Sequence, residues 1–276
     1  MADARFRAIL EGDRCVNPAS VFDPLTARMA GDAGFELAVL GGSVAAIVIL
    51  GAPDHALLTL DELAGLCRRI CRNAPIPLMV DADHGFGNAL NVMRCVEELE
   101  LAGVAGISLE DTVLPYPFGV TEPTLLSVEE ATGKIAAAVA ARRNPDFAIL
   151  ARTMVRQGEI DDLVERASAY TGAGASGIFL TGIRRIDEVE AVRNATKLPL
   201  VLGAARGELA SADLASLGVR VCLQGHHVLP AALAAAWKSY QTSRGSPVAE
   251  QGPPDDFMDR YNETARYEKL IDKFLK

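Results

Sequence analysis

The sequence predicts an α/β protein folded as a (β/α)8 TIM-type barrel, and three observations carry that prediction. Eight short apolar runs recur along the chain, each bounded by Gly, Pro or polar residues, as strands covered on both faces are. Segments with a 3.6-residue apolar period separate them, the alternation that joins parallel strands through helices. No GxGxxG follows the first run. Regular units repeated eight times in about 240 residues favour a closed barrel over an open doubly wound sheet.

In order, the strand runs are 15–21 (CVNPASV), 36–43 (ELAVLGGS), 77–83 (PLMVDAD), 106–111 (GISLED), 147–153 (FAILART), 177–182 (GIFLTG), 199–203 (PLVLG) and 220–225 (RVCLQG). The clearest helical segments are 59–74 and 88–103. Thr59 with Glu62 makes a capping box for the first, and Gly103 suits the residue just past the end of the second. The phrases AGF, AGV, AGA and LGV before the runs near 36, 106, 177 and 220 are helix-ending glycines, which belong to the scaffold. Residues 1–242 form the expected barrel domain, and 243–276 a linker and an oligomerisation helix. The Pro/Gly-rich break spans 243–256, and the helix after it carries Phe257, Tyr261, Leu270, Ile271 and Phe274 near one face. An eight-helix barrel is already covered, so this spare helix is expected to dock on another subunit.

Composition narrows the function. Half the chain is hydrophobic, 23% is charged and only 5% is aromatic, so a sizeable core can be buried and disorder is not the default. A net charge of −9 argues against a nucleic-acid surface, which needs cations to displace phosphate counterions. No run approaches the ~20 apolar residues of a membrane span, and the first residues lack a signal-peptide core. Five scattered Cys, an odd number, give no disulfide framework. A cytoplasmic protein is expected.

Chemistry in such a barrel sits at the C-terminal strand ends. Those ends read Ser20 and Asp23, Ser43, Asp81 and Asp83, Glu110 and Asp111, Arg152 and Thr153, Thr181, then His226 and His227. Asp81 and Asp83 are two apart and Glu110 ends the next strand, so acids crowd one side of the mouth. Either a cation sits among them or some are protonated. Carboxylates without clustered His or Cys favour Mg2+ or Mn2+ over zinc. The plainer alternative is that they cap the following helices. His84 reads as a loop-orienting residue, His55 as a loop residue, and Cys67 with Cys71 as small core residues.

Residues 81–88 (DADHGFGN), 106–113 (GISLEDTV) and 149–153 (ILART) resemble the isocitrate lyase and phosphoenolpyruvate mutase superfamily. Residues 20–28 (SVFDPLTAR), 38–46 (AVLGGSVAA), 52–62 (APDHALLTLDE) and the GH at 225–226 are similar to its oxaloacetate decarboxylase branch. The resemblance runs from about Arg5 to Tyr240. It implies Mg2+, with Mn2+ as substitute, bound directly by Asp81 and through water by Asp54, Asp83 and Glu110. It implies substrate binding at Ser43 and Val44, Arg152 on a substrate carboxylate, and a catalytic His226. The loop at 112–124 (TVLPYPFGVTEPT) has no Cys, Lys or His, so it lacks the acid of the lyases and the Lys of the mutases. Residues 203–209 (GAARGEL) also lack the Tyr that follows strand seven in the decarboxylase branch.

The implied reaction is Mg2+-dependent decarboxylation of oxaloacetate to pyruvate and CO2 through a metal-stabilised enolate. The alternatives are a C–C lyase or hydrolase of another branch (oxaloacetate- or acetylpyruvate-hydrolase-like), or a weakly active barrel that binds diacids. A small 2-oxo diacid is the implied partner, with oxalate as inhibitor because it copies the planar enolate. The implied assembly is a homotetramer, a dimer of helix-swapped dimers.

Overall fold

The structure, a computed structural model, describes residues 3–120, 122–155, 159–245 and 254–276. Helix α1 (Ala4–Glu11) is capped by Asp3, whose side chain accepts from the Arg5 amide. Its Phe6 and Leu10 are buried beneath the barrel with Met79, Leu150, Phe179, Val201 and Val221. The wall then runs β1 (Ala19–Ser20), α2 (Pro24–Asp32), β2 (Ala38–Leu40), α3 (Gly42–Leu50), α4 (Leu60–Cys71), β3 (Leu78–Asp81), α5 (Ala89–Leu101), β4 (Gly106–Glu110), α6 (Val128–Ala141), β5 (Ala148–Met154), α7 (Ile160–Gly172), β6 (Gly177–Thr181), α8 (Ile186–Thr196), β7 (Leu200–Leu202) and β8 (Val219–Cys222). Beyond β8 come α9 (Val228–Ser243), α10 (Phe257–Tyr261) and α11 (Thr264–Phe274).

All eight strands are parallel and paired in chain order. The barrel closes through Val16, whose N–H donates to the Arg220 carbonyl (2.8 Å) while its own carbonyl accepts from the Cys222 N–H (3.0 Å). Pro18 has no N–H to give, and the run at 15–21 pairs on either side of it, at Val16 and from Ala19 to Val21. Alternation sets the layers: Met79, Leu150 and Phe179 point inward, while Val80, Ile149 and Ile178 pack under the helices. The same period carries Asp81, Ser108, Glu110 and Arg152 inward at the mouth. The four expected helix-ending glycines, Gly34, Gly103, Gly174 and Gly218, all have φ between 83° and 91°, the conformation a side chain disfavours. Among the described residues no helix is long and apolar enough to cross a membrane.

Two expectations at the C-terminal end need correction, on the number of sheathing helices and on the terminal helix, and α9 between them is largely exposed. The β7–β8 connection holds only a five-residue 3₁₀ turn, Gly207–Ser211, so the barrel is not sheathed by eight helices. Helix α9 buries only Leu229 and leaves Val228 and Tyr240 exposed. The terminal helix is two helices, broken at Glu263, which takes the left-handed conformation at φ 57°.

The second of these helices closes on its own barrel mouth. The Leu275 carbonyl accepts from the Gly119 N–H (2.8 Å), and Tyr267 packs against His55. Trp237 of α9 stacks with Phe257 and Tyr261 of α10. The apolar face that was expected to need another subunit is thus partly used within the chain. Of the break at 243–256, residues 246–253 lie outside the described residues.

Candidate active site

Parallel register brings the acidic strand ends together. Glu110 pairs across from Arg152, and Asp81 ends the strand on the other side of β4. The Arg152 guanidinium spans both acids, with Nη1 donating to Asp81 Oδ2 (2.5 Å) and Nη2 lying 3.1 Å from Glu110 Oε2. It rests over the Phe179 ring at 5.7 Å, and its buried Nε has no hydrogen-bond partner among the described residues. Ser108 Oγ donates to Asp81 Oδ1 (3.1 Å), and so does the Asp83 N–H (3.3 Å). Sequence reading missed Ser108, although it alternates with Glu110 along GISLE and so had to point inward.

Asp83 lies just past β3 at φ 47°, in the left-handed region that Asp tolerates better than most residues. Its carboxylate presses on the start of α3: a Cβ on Gly42 would stand 2.4 Å from Asp83 Oδ1. On the β1–β8 side, His226 Nδ1 is 2.7 Å from Ser20 Oγ, and a Cβ on Gly41 would stand 2.5 Å from His226 Nε2. The two glycines therefore let α3 begin against both groups, which sequence alone gave no reason to suspect. Ser43 is half-buried at that helix start. Val44 departs from expectation, because its side chain is sunk in the core and only its backbone remains for a ligand.

Burial and mutual repulsion shape the charges. Asp83 is pushed up to about 8, by burial first and then by Asp81, Asp54 and Glu110. Burial also raises Glu110 to about 7 against the pull of Arg152. Asp54, at the rim of the mouth, is raised by desolvation and by Asp81. Burial lowers His226 and takes His84 down to about 4 with help from Lys134, so both imidazoles are neutral at pH 7. His84 is buried and its Nδ1 has no partner.

Asp111 and Thr153, which also read as strand-end polar groups, point outward. Asp111 Oδ2 accepts from Thr153 Oγ1 (2.8 Å), Tyr170 OH (2.6 Å) and Arg166 Nη1 (3.3 Å). This buried cluster fastens the ends of β4 and β5 to α7.

Above the acids lies a 460 Å3 chamber with Asp54, Asp83, Glu110 and Arg152 on its floor. Leu114, Val120, Met154, Ile271 and Leu275 give it an apolar roof. Ser43, Val44 and His226 are off its wall, on the β1–β2–β8 side. No three His, Cys, Asp or Glu side chains converge as a ready-made metal site among the described residues. The donors nonetheless suit a hard cation. Four carboxylates, all oxygen donors, face the single guanidinium of Arg152, and two hold protons to well above the usual carboxylate range.

The model of the phosphoenolpyruvate phosphomutase family matches residues 6–243. The chain belongs to that family. Within it, an oxaloacetate decarboxylase from Rhodopseudomonas palustris (strain HaA2) is 46% identical over 275 residues, covering 98% of this chain and 95% of that protein. Another, from strain TIE-1, is 50% identical over 235 residues, covering 84% and 82%. Among solved structures of the superfamily, a phosphonopyruvate hydrolase complex with oxalate and Mg++ superposes with a TM-score of 0.76 at 31% identity over 100% of both chains. An oxaloacetate acetylhydrolase in complex with the product oxalate gives 0.77 at 26% identity, covering 98% and 96%. The phosphomutase-family barrel is therefore the fold of this chain.

Proposed function

We propose that this chain is a divalent-metal-dependent carboxy-lyase that converts oxaloacetate to pyruvate and CO2. The observation that carries the proposal is the Asp81–Arg152–Glu110 array beneath a chamber whose loop offers no Cys, Lys or His. Residues 112–120 and 122–124 contribute Thr112, Leu114, Pro115, Tyr116, Val120 and Pro123 to the wall, and none of these six is a ready base for a hydroxyl proton at neutral pH, as aldol-type cleavage requires. The names of the relatives at 46–50% identity support the same reading. Asp81 would hold Mg2+ (or Mn2+) directly, and Asp54, Asp83 and Glu110 through water. When bound, the cation supplies Lewis acidity toward the substrate's 2-oxo group, an electron sink for the pair that CO2 leaves behind.

The chain's own groups do the rest. Arg152, which holds Asp81 and Glu110 in the structure, would offer its fork of donors to a substrate carboxylate. The start of α3, with Ser43 Oγ and the backbone of Ser43 and Val44, presents the positive end of a nine-residue helix to the same anion. Neutral His226, fixed through Nδ1 by Ser20, faces the remaining carboxylate or the carbon that takes up the proton. The apolar roof keeps bulk water from the carboxylate that departs. Incubation with oxaloacetate tests the proposal: pyruvate plus CO2 supports it, whereas oxalate plus acetate assigns the chain to hydrolysis.

Replacing His226 by Ala is expected to leave Mn2+ affinity within about threefold while turnover falls roughly 10- to 100-fold; collapse of Mn2+ binding would make His226 a ligand instead. Oxalate should bind only with the cation present, since both its carboxylates need a chelated partner. Calorimetry with and without Mg2+ checks this, and equal affinity in both overturns it.

We further propose the division into a barrel at 1–242 and an oligomerisation segment at 243–276, in a cytoplasmic homotetramer of two helix-swapped pairs. The exposed face of α9 supports it, since Val228 and Tyr240 there need a cover. Light scattering should return four times the 29.3 kDa chain mass, and a monomer at micromolar concentration refutes it.

A further inference from the structure

Lys134 sits on the inner face of α6 and is only 6% exposed. Its ammonium makes no hydrogen bond or ion pair with any described residue. The side chain is buried as a whole, and that burial lowers its pKa from the usual lysine value. The group is not far from charge, however, because Glu130, Glu110 and Asp111 all act on it electrostatically.

The same pocket of structure holds a second unpaired group. Asp111 is 4% exposed, and while its Oδ2 takes three donors its Oδ1 has none. Lys134, Asp111, Glu110, Arg152 and Tyr170 line one small cavity behind the strand ends, of about 10 Å3, which is the room a single water requires. A cation with spare donors, an acid with a spare acceptor and one water's space between them fit together.

We infer that Lys134 is a positioning residue for Glu110, acting through one buried water that it shares with Asp111 Oδ1. Asp111 follows Glu110 directly, and its N–H donates to the Arg152 carbonyl (3.2 Å). Holding the Asp111 side chain therefore holds the end of β4 in the register that sets Glu110 against Arg152. The Lys134 charge also eases the repulsion between the two consecutive carboxylates Glu110 and Asp111. It touches neither substrate nor cation. Outer groups of this kind set the aim of the groups that do the binding.

The inference rests on the metal site proposed above, and its test reads that site without substrate. In the full chain, Lys134→Met keeps the length of the side chain and removes its charge and donors. Mn2+ affinity, measured by electron paramagnetic resonance of free Mn2+, should weaken about 10-fold. With oxaloacetate, kcat should fall by a similar factor and KM should move less than about threefold, as the substrate's own contacts remain. The thermal midpoint of the metal-free variant should match the parent's, which separates positioning from bulk stability.

Lys134→Gln, which keeps a donor for the water, should recover a substantial part of the Mn2+ affinity. Parent-like Mn2+ affinity and kcat in Lys134→Met overturn the inference, as does a Gln variant no better than Met. If Lys134→Met does not fold, Lys134→Arg carries the test: it keeps the charge but fills the water's place, so parent-like Mn2+ affinity there overturns the inference. A parent chain that binds Mn2+ but makes no pyruvate sinks the decarboxylase reading and leaves this one standing. A parent chain that fails to bind Mn2+ sinks both.

Discussion

Asp81→Ala is expected to lose divalent-cation binding and to lower kcat/KM by at least about 10³-fold. Three donors converge on this carboxylate, from Arg152, Ser108 and the Asp83 N–H, so its two oxygens are held in place before any ligand arrives. The other acids lack such a setting: Asp54 stands on a rim loop, and Asp83 and Glu110 hold protons to about 8 and about 7. Asp81 is the group best placed to meet the cation directly. Its removal also leaves the Arg152 Nη1 donor unpaired beside a buried wall, which adds a cost even without metal. Asp81→Asn, which keeps an acceptor for Ser108 but no charge, should fall between the two. Mn2+ titration and CO2 release after EDTA treatment read the result. Full activity in an EDTA-treated Asp81→Ala chain would remove the metal from the mechanism.

Much of this site was legible in the sequence, and the reason is periodicity. A strand period of two and parallel register fix which residues share the barrel mouth, so Asp81, Glu110 and Arg152 could be placed there before any coordinates. The same rule carried Ser108 inward, yet a serine within an apolar run gave no chemical prompt. What could not be read was contact across helices. Arg166, Tyr170 and Thr153 meet at Asp111 only because α7 lies over β4 and β5, and no local pattern encodes that approach. Gly41 and Gly42 carry no side chain to mark them, and only the fold brings His226 and Asp83 against them. The C-terminal end was legible only in part, for a similar reason. The apolar stripe from Phe257 to Phe274 correctly said that the segment must cover something. It could not say that within one chain α11 would meet the barrel mouth at Gly119 and His55, nor that Glu263 would break the helix.

Stability of the metal-free chain is expected to fall as pH rises from 6.5 to 8.5, by about 2 kcal/mol. Asp83 at about 8 and Glu110 at about 7 lie far above the ~4 of an unfolded carboxylate. In this window the unfolded chain has already released both protons and the folded chain still holds them. The folded state therefore binds more protons, and raising the pH favours unfolding until the folded groups have titrated, near pH 8. The acids interact, so they titrate as a set and not as two independent steps. Below 6.5 the sign is opposed by His226 and His84, whose lowered values make the folded chain reluctant to protonate them; that is why the window starts there. Saturating Mg2+ replaces the protons as the neutralising charge and should stabilise more at pH 8.5 than at 6.5, because protons compete for the same oxygens. Urea unfolding at the two pH values, with EDTA and with Mg2+, gives all four numbers. A metal-free chain whose stability is flat or rises across the window would mean that these carboxylates are already ionised, and the repulsion that makes the mouth a cation site would be absent.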